Sequence, residues 1–238
     1  MEISIICPTF NNLNYLRLFI KSIKENSFFN HELIFHINDG SDGSLNFIRS
    51  EKIKYTHSND NIGLCSAVNN AFTKSTKQYI LYAHDDMYFC KNWDKFLEKE
   101  VNLYKDNLFY LSGTNVSYKD GLINYDCGNS YKNFDIKKFN DFCINDKSKS
   151  LQGSHWAPHL IPRDLWIKIG GFSEEFNPGD GSDPDLCCKL WFRGNVRIFK
   201  CVSLFKVYHF GSGTIRKNKL KKNNGTNLFF FKRGFNIM

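Results

Sequence analysis

The sequence predicts an α/β domain built on a mostly parallel central sheet flanked by helices. Two observations carry this. Short apolar runs alternate with amphipathic ones through the first ninety or so residues, the pace of a β-α-β-α-β-α-β chain. The runs at Ile3, Glu32 and Tyr79 also break into Pro8-Thr9-Phe10-Asn11-Asn12, Asn38-Asp39-Gly40-Ser41-Asp42-Gly43-Ser44 and Ala83-His84-Asp85-Asp86. Polar segments released together at the carboxyl ends of parallel strands are where open α/β sheets bind ligands.

Each element follows in order. Ile3–Cys7 reads as a buried strand and Leu13–Lys24 as a helix, with Leu13, Leu16, Phe19, Ile20 and Ile23 recurring at three and four. The pattern continues with a strand over Glu32–Ile37, a helix over Ser44–Arg49, a strand over Ile53–His57, a helix over Ile62–Lys74 and a strand over Tyr79–Ala83. Asn92–Tyr104 is a further helix, with Trp93, Phe96, Leu97, Val101 and Tyr104 on one face, and Leu108–Leu111 a further strand. Residues 114–150 are rich in Asn and Lys without clear periodicity and are expected to be an insertion or a mobile segment. Order returns over Ser154–Ile161, then a helix over Arg163–Ile169 stopped by Gly170-Gly171. A last helix begins at Pro184 and ends before Gly194, and two short strands, Val196–Phe199 and Val202–Tyr208, lead to a basic, aromatic tail.

Composition bounds the function. With 42% hydrophobic and 16% aromatic residues in 238, the chain can bury a full core, which argues against wholesale disorder. The net charge of +8 suits a phosphorylated substrate, an anionic membrane face or nucleic acid alike. Much of the surplus sits in Arg216-Lys217-Asn218-Lys219-Leu220-Lys221-Lys222, so no general nucleic-acid surface is expected. The eight cysteines show neither a C-x-x-C pair nor zinc-like spacing and read as reduced, mostly buried thiols. No apolar stretch approaches the ~20 residues a membrane span needs. Nor does a basic leader precede Ile3, so the expected location is cytoplasmic, with peripheral membrane contact through the tail.

Two adjacent acids at the end of a strand point opposite ways, so one can face a ribose and the other a hard cation on phosphates. Asp85 and Asp86 are so placed, although Asp also clusters in such loops as a turn or N-cap residue. Asp39 can accept from a base N–H or from ribose hydroxyls, and Phe10 offers a stacking face; turn chemistry accounts for Gly40, Ser41 and Gly43. Pro184 placed as the first helical residue would make Asp183 its N-cap, one oxygen capping while the other accepts a proton from an alcohol. His209 ends a strand, a place for structural packing or for metal or phosphate contact.

Taken in order, these pieces resemble the family 2 inverting glycosyltransferases of the GT-A fold, a mostly parallel Rossmann-like sheet with a small acceptor-side subregion. The likeness runs from Ile3 to about Thr214: Pro-Thr-Phe-Asn after the first strand, the Asn-Asp-Gly-Ser turn, Asn61-Ile62-Gly63 before a helix, the Asp-Asp pair, Gly170-Gly171-Phe172-Ser173-Glu174, Asp183-Pro184-Asp185-Leu186, then His209. The resemblance implies transfer from a nucleotide-diphosphate sugar, with inversion and with Mn²⁺ or Mg²⁺ on the diphosphate. The sugar would be hexosyl or N-acetylhexosaminyl, and the acceptor a hydroxyl of a glycan, a lipid-linked or a protein-linked molecule. One domain over 1–214 is then expected, with 1–90 binding the donor and 91–214 carrying acceptor binding and catalysis, before the tail at 215–238.

Carried over by position, Pro8, Thr9, Phe10 and Asp39 match the nucleoside-binding segment, with Asn11, Asn61 and Gly63 completing the donor set. Asp85 is the ribose or metal acid, Asp86 the metal acid, Asp183 the base and His209 a metal or phosphate contact. Trp156, with His155 and His159, would line the acceptor side, core packing being the alternative for Trp156, and Lys232 in Phe229–Gly234 would reach the diphosphate, a terminal strand being the alternative for that stretch. Two positions depart from the pattern. The metal motif is His84-Asp85-Asp86-Met87 instead of a spaced Asp-x-Asp, and Ser182 stands where an acid usually precedes the base, which shifts proton acceptance onto Asp183 or Asp180. That loss keeps an inactive sugar-nucleotide-binding or assembly subunit open as an alternative. A nucleotidyltransferase is the rival enzyme, though no Gly-rich phosphate loop follows Ile6, and no G-x-G-x-x-G marks a dehydrogenase.

Overall fold

The computed structural model describes residues 1–153, 156–211 and 224–235. The chain runs β1 (Ile3–Phe10), α1 (Leu13–Asn26), β2 (Glu32–Asn38), α2 (Ser44–Ser50), β3 (Lys54–Ser58), α3 (Leu64–Phe72) and β4 (Tyr79–Tyr82). It continues through β5 (Met87–Phe89), α4 (Trp93–Val101), β6 (Phe109–Ser117), β7 (Ile123–Asn124), α5 (Ile136–Asn145), β8 (Leu151–Gln152) and β9 (His159–Pro162). Then come α6 (Arg163–Ile169), a 3₁₀ turn (Glu174–Phe176), α7 (Ser182–Phe192), β10 (Ile198–His209) and α8 (Gly225–Arg233).

All ten strands of the described residues join one sheet in the order β3-β2-β1-β4-β9-β6-β10-β5, with β7 beside β6 and β8 beside β10. The first four pair in parallel, as their alternation with helices predicts. Strand β9 runs antiparallel to both β4 and β6, and β10 runs parallel to β6. Two antiparallel steps restore the original direction, so β1, β2, β4, β6 and β10 all end at one edge. The register sharpens this: Tyr82, last in β4, pairs with His159, first in β9, and His209, last in β10, pairs with Met87 of β5. Ile3, Ile5, Ile6 and Cys7 of β1 and Leu81 and Tyr82 of β4 are wholly buried, as strands covered on both faces must be. Helix α1 buries Leu16, Phe19, Ile20 and Ile23 and packs along β5, while α3 lies on β1 and β2 and α4 on β10.

Four expectations are corrected. Strand β6 extends to Ser117, and the polar stretch after it contains α5, whose N-terminus is capped by Asp135 accepting from Lys138 N and whose Phe139 is fully buried. A short helix carrying a single buried aromatic shows too little periodicity to be read from sequence. The two terminal strands are one, β10, with a register shift between Val202 and Lys206. Helix α7 starts at Ser182, not Pro184, because Gly181 adopts a left-handed φ of 81° and occupies the cap position. The Phe229–Gly234 stretch lies in a helix ended by Gly234, and the basic segment 216–222 falls outside the described residues. No helix among the described residues is long and apolar enough to cross a membrane.

Glu32 ties the sheet together at the opposite, amino-terminal edge. Its carboxylate accepts from Ser4 Oγ at 2.5 Å, Lys54 Nζ at 2.5 Å and both the backbone N and the hydroxyl of Thr76 at 2.9 Å. Burial alone would raise its pKa, but the Lys54 ammonium, Ser4 and Thr76 outweigh it and hold the group at about 2. Glu32→Gln is expected to cost about 2 kcal/mol at neutral pH, the scale of hydrogen bonds to a charged group. A depressed carboxylate stabilises only while ionised, so the gap to wild type should close as pH falls from about 4.3 toward about 2. Urea melts at pH 7 and pH 2.5 check both halves, and an equal gap at the two values would contradict the assignment.

Candidate active site

At the ends of β1 and β2 the backbone turns through two left-handed residues, Asn11 (φ 46°) and Asp39 (φ 59°), residue types that tolerate the conformation. Asn11 Nδ2 donates to Asp39 Oδ2 at 2.7 Å, and Gly40 N donates back to Asn11 Oδ1 at 3.1 Å. A Cβ on Gly40 would sit 2.8 Å from Leu45 Cβ, so the turn needs glycine there. The Asn11 donor, with Ser41, holds the Asp39 carboxyl below its ordinary value, leaving a fixed anionic acceptor, half-exposed at the sheet edge. Pro8 and Phe10 are half-buried beside it, and Thr9 is buried. Asn61 Oδ1 accepts from Gly63 N at 3.0 Å, closing the turn into α3. Gly63 in turn lies against Asn177, whose Oδ1 accepts from Cys65 N at 2.9 Å and so caps α3 from the Gly-Gly-Phe side of the molecule.

The two adjacent acids separate in role. Asp85 is held on both oxygens, by Thr9 Oγ1 at 2.5 Å and Asn12 Nδ2 at 3.0 Å. Burial and the neighbouring Asp86 charge push its pKa up to about 7 against those donors. Asp86 Oδ1 lies 3.2 Å from His209 Nε2, and His84 Nδ1 lies 3.4 Å from the same nitrogen. Burial disfavours the charged form of both members of the Asp86–His209 pair, but their mutual attraction prevails, lowering Asp86 and raising His209. His84 is pushed down to about 4, by burial first and the His209 charge second, and its Nε2 contacts Tyr82 OH at 2.9 Å. A neutral imidazole beside an ionised carboxylate and a second imidazole suits a divalent cation such as Mn²⁺. One ligand atom from each of His84, Asp86 and His209 lies within 4.8 Å of the others, and Asp85 is outside this group.

Asp183 approaches the same strand end from α7. Since Gly181 and not Asp183 occupies the cap position, no hydrogen bond of the cap uses its carboxylate. Its Oδ1 is buried, 3.5 Å from His159 Nε2, while 16% of the side chain stays exposed. His159 is itself wholly buried, so it does not line an acceptor surface as expected; His155 lies outside the described residues. Ser182 sends its hydroxyl to Gly179 O at 2.6 Å. One turn along α7 from Asp183, Cys187 reaches a cleft of about 980 Å³ whose walls also include His84, His209, Asn115, Trp156 and Trp191. Burial and then the Asp183 carboxylate raise the Cys187 thiol, and both act likewise on Tyr82.

Trp156 stands in the cleft wall with 58% of its surface exposed, as a stacking platform requires. Lys232 does not: its ammonium pairs with Glu175 and lies 3.7 Å from Asp185, inside a cluster in which Arg233 Nη2 donates to Asp185 at 2.5 Å. Helix α8 is thereby clamped onto α7. Sequence reasoning missed His84 as a possible ligand, although its place beside the two acids was a signal. It also missed Asn12 and Asn177, which carry none.

The family model described as Glycosyl transferase family 2 matches residues 4–157. The chain belongs to this family. An uncharacterized glycosyltransferase of Rickettsia felis is 28% identical over 207 residues, covering 80% of this chain and 31% of the relative. One of Rickettsia prowazekii is 26% identical over 208 residues, covering 80% and 58%. The chain thus spans between about a third and somewhat under two-thirds of these relatives. Among solved structures, S. aureus TarS 1-349 in complex with UDP superimposes with a TM-score of 0.66 at 14% identity, over 87% of this chain and 60% of that one. GalNAc-T7 with UDP, GalNAc and Mn²⁺ gives 0.64 at 14% identity, over 94% and 44%. The family 2 chain therefore has the GT-A fold, with the mostly parallel sheet and flanking helices that its alternating pattern predicts.

Proposed function

We propose that this family 2 glycosyltransferase is a metal-dependent inverting enzyme that moves a hexosyl or N-acetylhexosaminyl group from a nucleotide-diphosphate sugar to an acceptor hydroxyl. The observation that carries the reading is the convergence on one strand end: Tyr82 contacts His84 of the His84–Asp86–His209 cluster through its hydroxyl and pairs in the sheet with His159, whose Nε2 lies 3.5 Å from Asp183 Oδ1. A cation-holding group and a proton acceptor on two sides of one position are what displacement at an anomeric carbon requires. Asp39, with Asn11, Pro8, Thr9 and Phe10 around it, binds the nucleoside. Asp85, fixed by Thr9 and Asn12, holds the loop that carries Asp86 and contributes to the ribose side. His84, Asp86 and His209 would hold a Mn²⁺ or Mg²⁺ ion, which when bound would supply charge neutralisation for the diphosphate. Asp183 takes the proton of the acceptor hydroxyl as its oxygen attacks C1 from the face opposite the leaving group. Trp156 stacks on the acceptor, which is a glycan or a lipid-linked molecule reached through the cleft. The exposed Phe230 and Phe231 of α8 and the basic segment before them favour peripheral contact with an anionic membrane.

TarS has been solved with UDP and with UDP-GlcNAc, and GalNAc-T7 with UDP, GalNAc and Mn²⁺, which supports a uridine-diphosphate sugar as donor. A heat-stabilisation screen of the purified chain against nucleotide sugars, with and without Mn²⁺, tests the reading. A donor at 100 times its dissociation constant should stabilise by about 2.7 kcal/mol and only with the metal present. Nuclear magnetic resonance of the product's anomeric centre then checks inversion. Absence of stabilisation by every nucleotide sugar, metal included, would refute the proposal.

A further inference from the structure

We propose that His159 is the positioning residue of Asp183, its Nε2–H donating to Oδ1 so that the other carboxylate oxygen is left for the acceptor proton. This rests on the reading of Asp183 as the base. The imidazole is wholly buried, yet among the described residues neither ring nitrogen has a hydrogen-bond partner, and the same is true of Asp183 Oδ1. Those unpartnered atoms face one another across 3.5 Å, an ion-pair distance just beyond a formed hydrogen bond. Leaving a buried polar atom unsatisfied is unfavourable. A closing movement of a few tenths of an ångström satisfies both partners.

The ring has little freedom to turn elsewhere. Its centroid lies 4.9 Å from that of Tyr82 on β4 and 5.1 Å from that of Tyr110 on β6, with Phe172 at 6.2 Å on a further side. Its backbone is registered between Tyr82 and Ser112 in the sheet. The titratable groups around it are Tyr82 and Tyr110 from the strands, His84 after β4 and Asp183 from α7, and among the described residues only Asp183 is a carboxylate within ion-pair distance. Ser182, which stands where the sequence lacks an acid, cannot orient Asp183, because its hydroxyl is committed to Gly179 O. His159 thus does from the sheet what no neighbour on α7 does.

The contact is read without substrate from ¹⁵N-histidine-labelled protein, with His159→Gln identifying the His159 signals. A downfield Nε2–H proton that moves upfield in Asp183→Ala is expected; a signal indifferent to Asp183 overturns the proposal. Its consequence is read from turnover of the donor found by heat stabilisation. Gln places an N–H near the position of Nε2 and Asn near that of Nδ1, with equal polarity and no charge in either. His159→Gln should keep kcat within about fivefold and His159→Asn should lose about 100-fold, the cost of one misplaced active-site donor, with donor KM changed little in both. Melting temperatures establish that each variant is folded. Equal kcat in the two folded variants, whether high or low, overturns the positioning role. Full activity in Asp183→Asn would instead remove the underlying base assignment while leaving the measured contact standing.

Discussion

Asp183→Asn is expected to lower turnover by about 10³-fold, the middle of the range for a general base, while leaving donor affinity within about twofold of wild type. The amide has the same volume as the carboxylate but accepts no proton at neutral pH. Stability is expected to change little, because the cap position belongs to Gly181 and no capping bond is lost. What disappears is a first-turn charge at the helix N-terminus, worth about 0.3–1 kcal/mol. Turnover, donor titration and a thermal melt on the same preparation check the three statements together. Wild-type turnover in a folded variant would reject Asp183 as the proton acceptor.

Asp86→Ala is expected to weaken Mn²⁺ binding by more than about 100-fold, beyond the 10–100-fold typical of groups that merely orient a ligand. Asp86 is the only anion among His84, Asp86 and His209, and its loss also removes the charge that raises the His209 pKa. Donor binding should then become equally weak with and without Mn²⁺. Calorimetric titration of metal, followed by donor in each condition, separates the effects. A donor affinity as metal-responsive as that of wild type would count decisively against Asp86 as a ligand.

The site was legible where neighbours in sequence carry it. Asp85 and Asp86 end a run of apolar residues, and the Asn-Asp-Gly-Ser turn closes another, so both were visible as edge features. The division of labour between the two acids was not visible. It depends on Thr9 and Asn12 reaching Asp85 from β1 and on His209 reaching Asp86 from β10. From sequence His159 reads as acceptor-facing alongside Trp156; burial between Tyr82 and Tyr110 arises only when β9 inserts next to β4. Lys232 looked available for phosphate, and Glu175 and Asp185 take it up once α8 docks.

What the amino-acid sequence by itself determined is the alternation of strand and helix, the parallel first half of the sheet and the edge at which its polar segments gather. Those properties follow from periodicity and burial along a few neighbouring residues, which local composition encodes. Tertiary structure alone decided that β9 runs antiparallel between β4 and β6, that His84 joins Asp86 and His209, and that α7 begins one residue before Asp183, freeing its carboxylate from the cap. Such outcomes depend on which distant segments pair and in what register, and a shift of one residue in a strand turns every side chain to the other face.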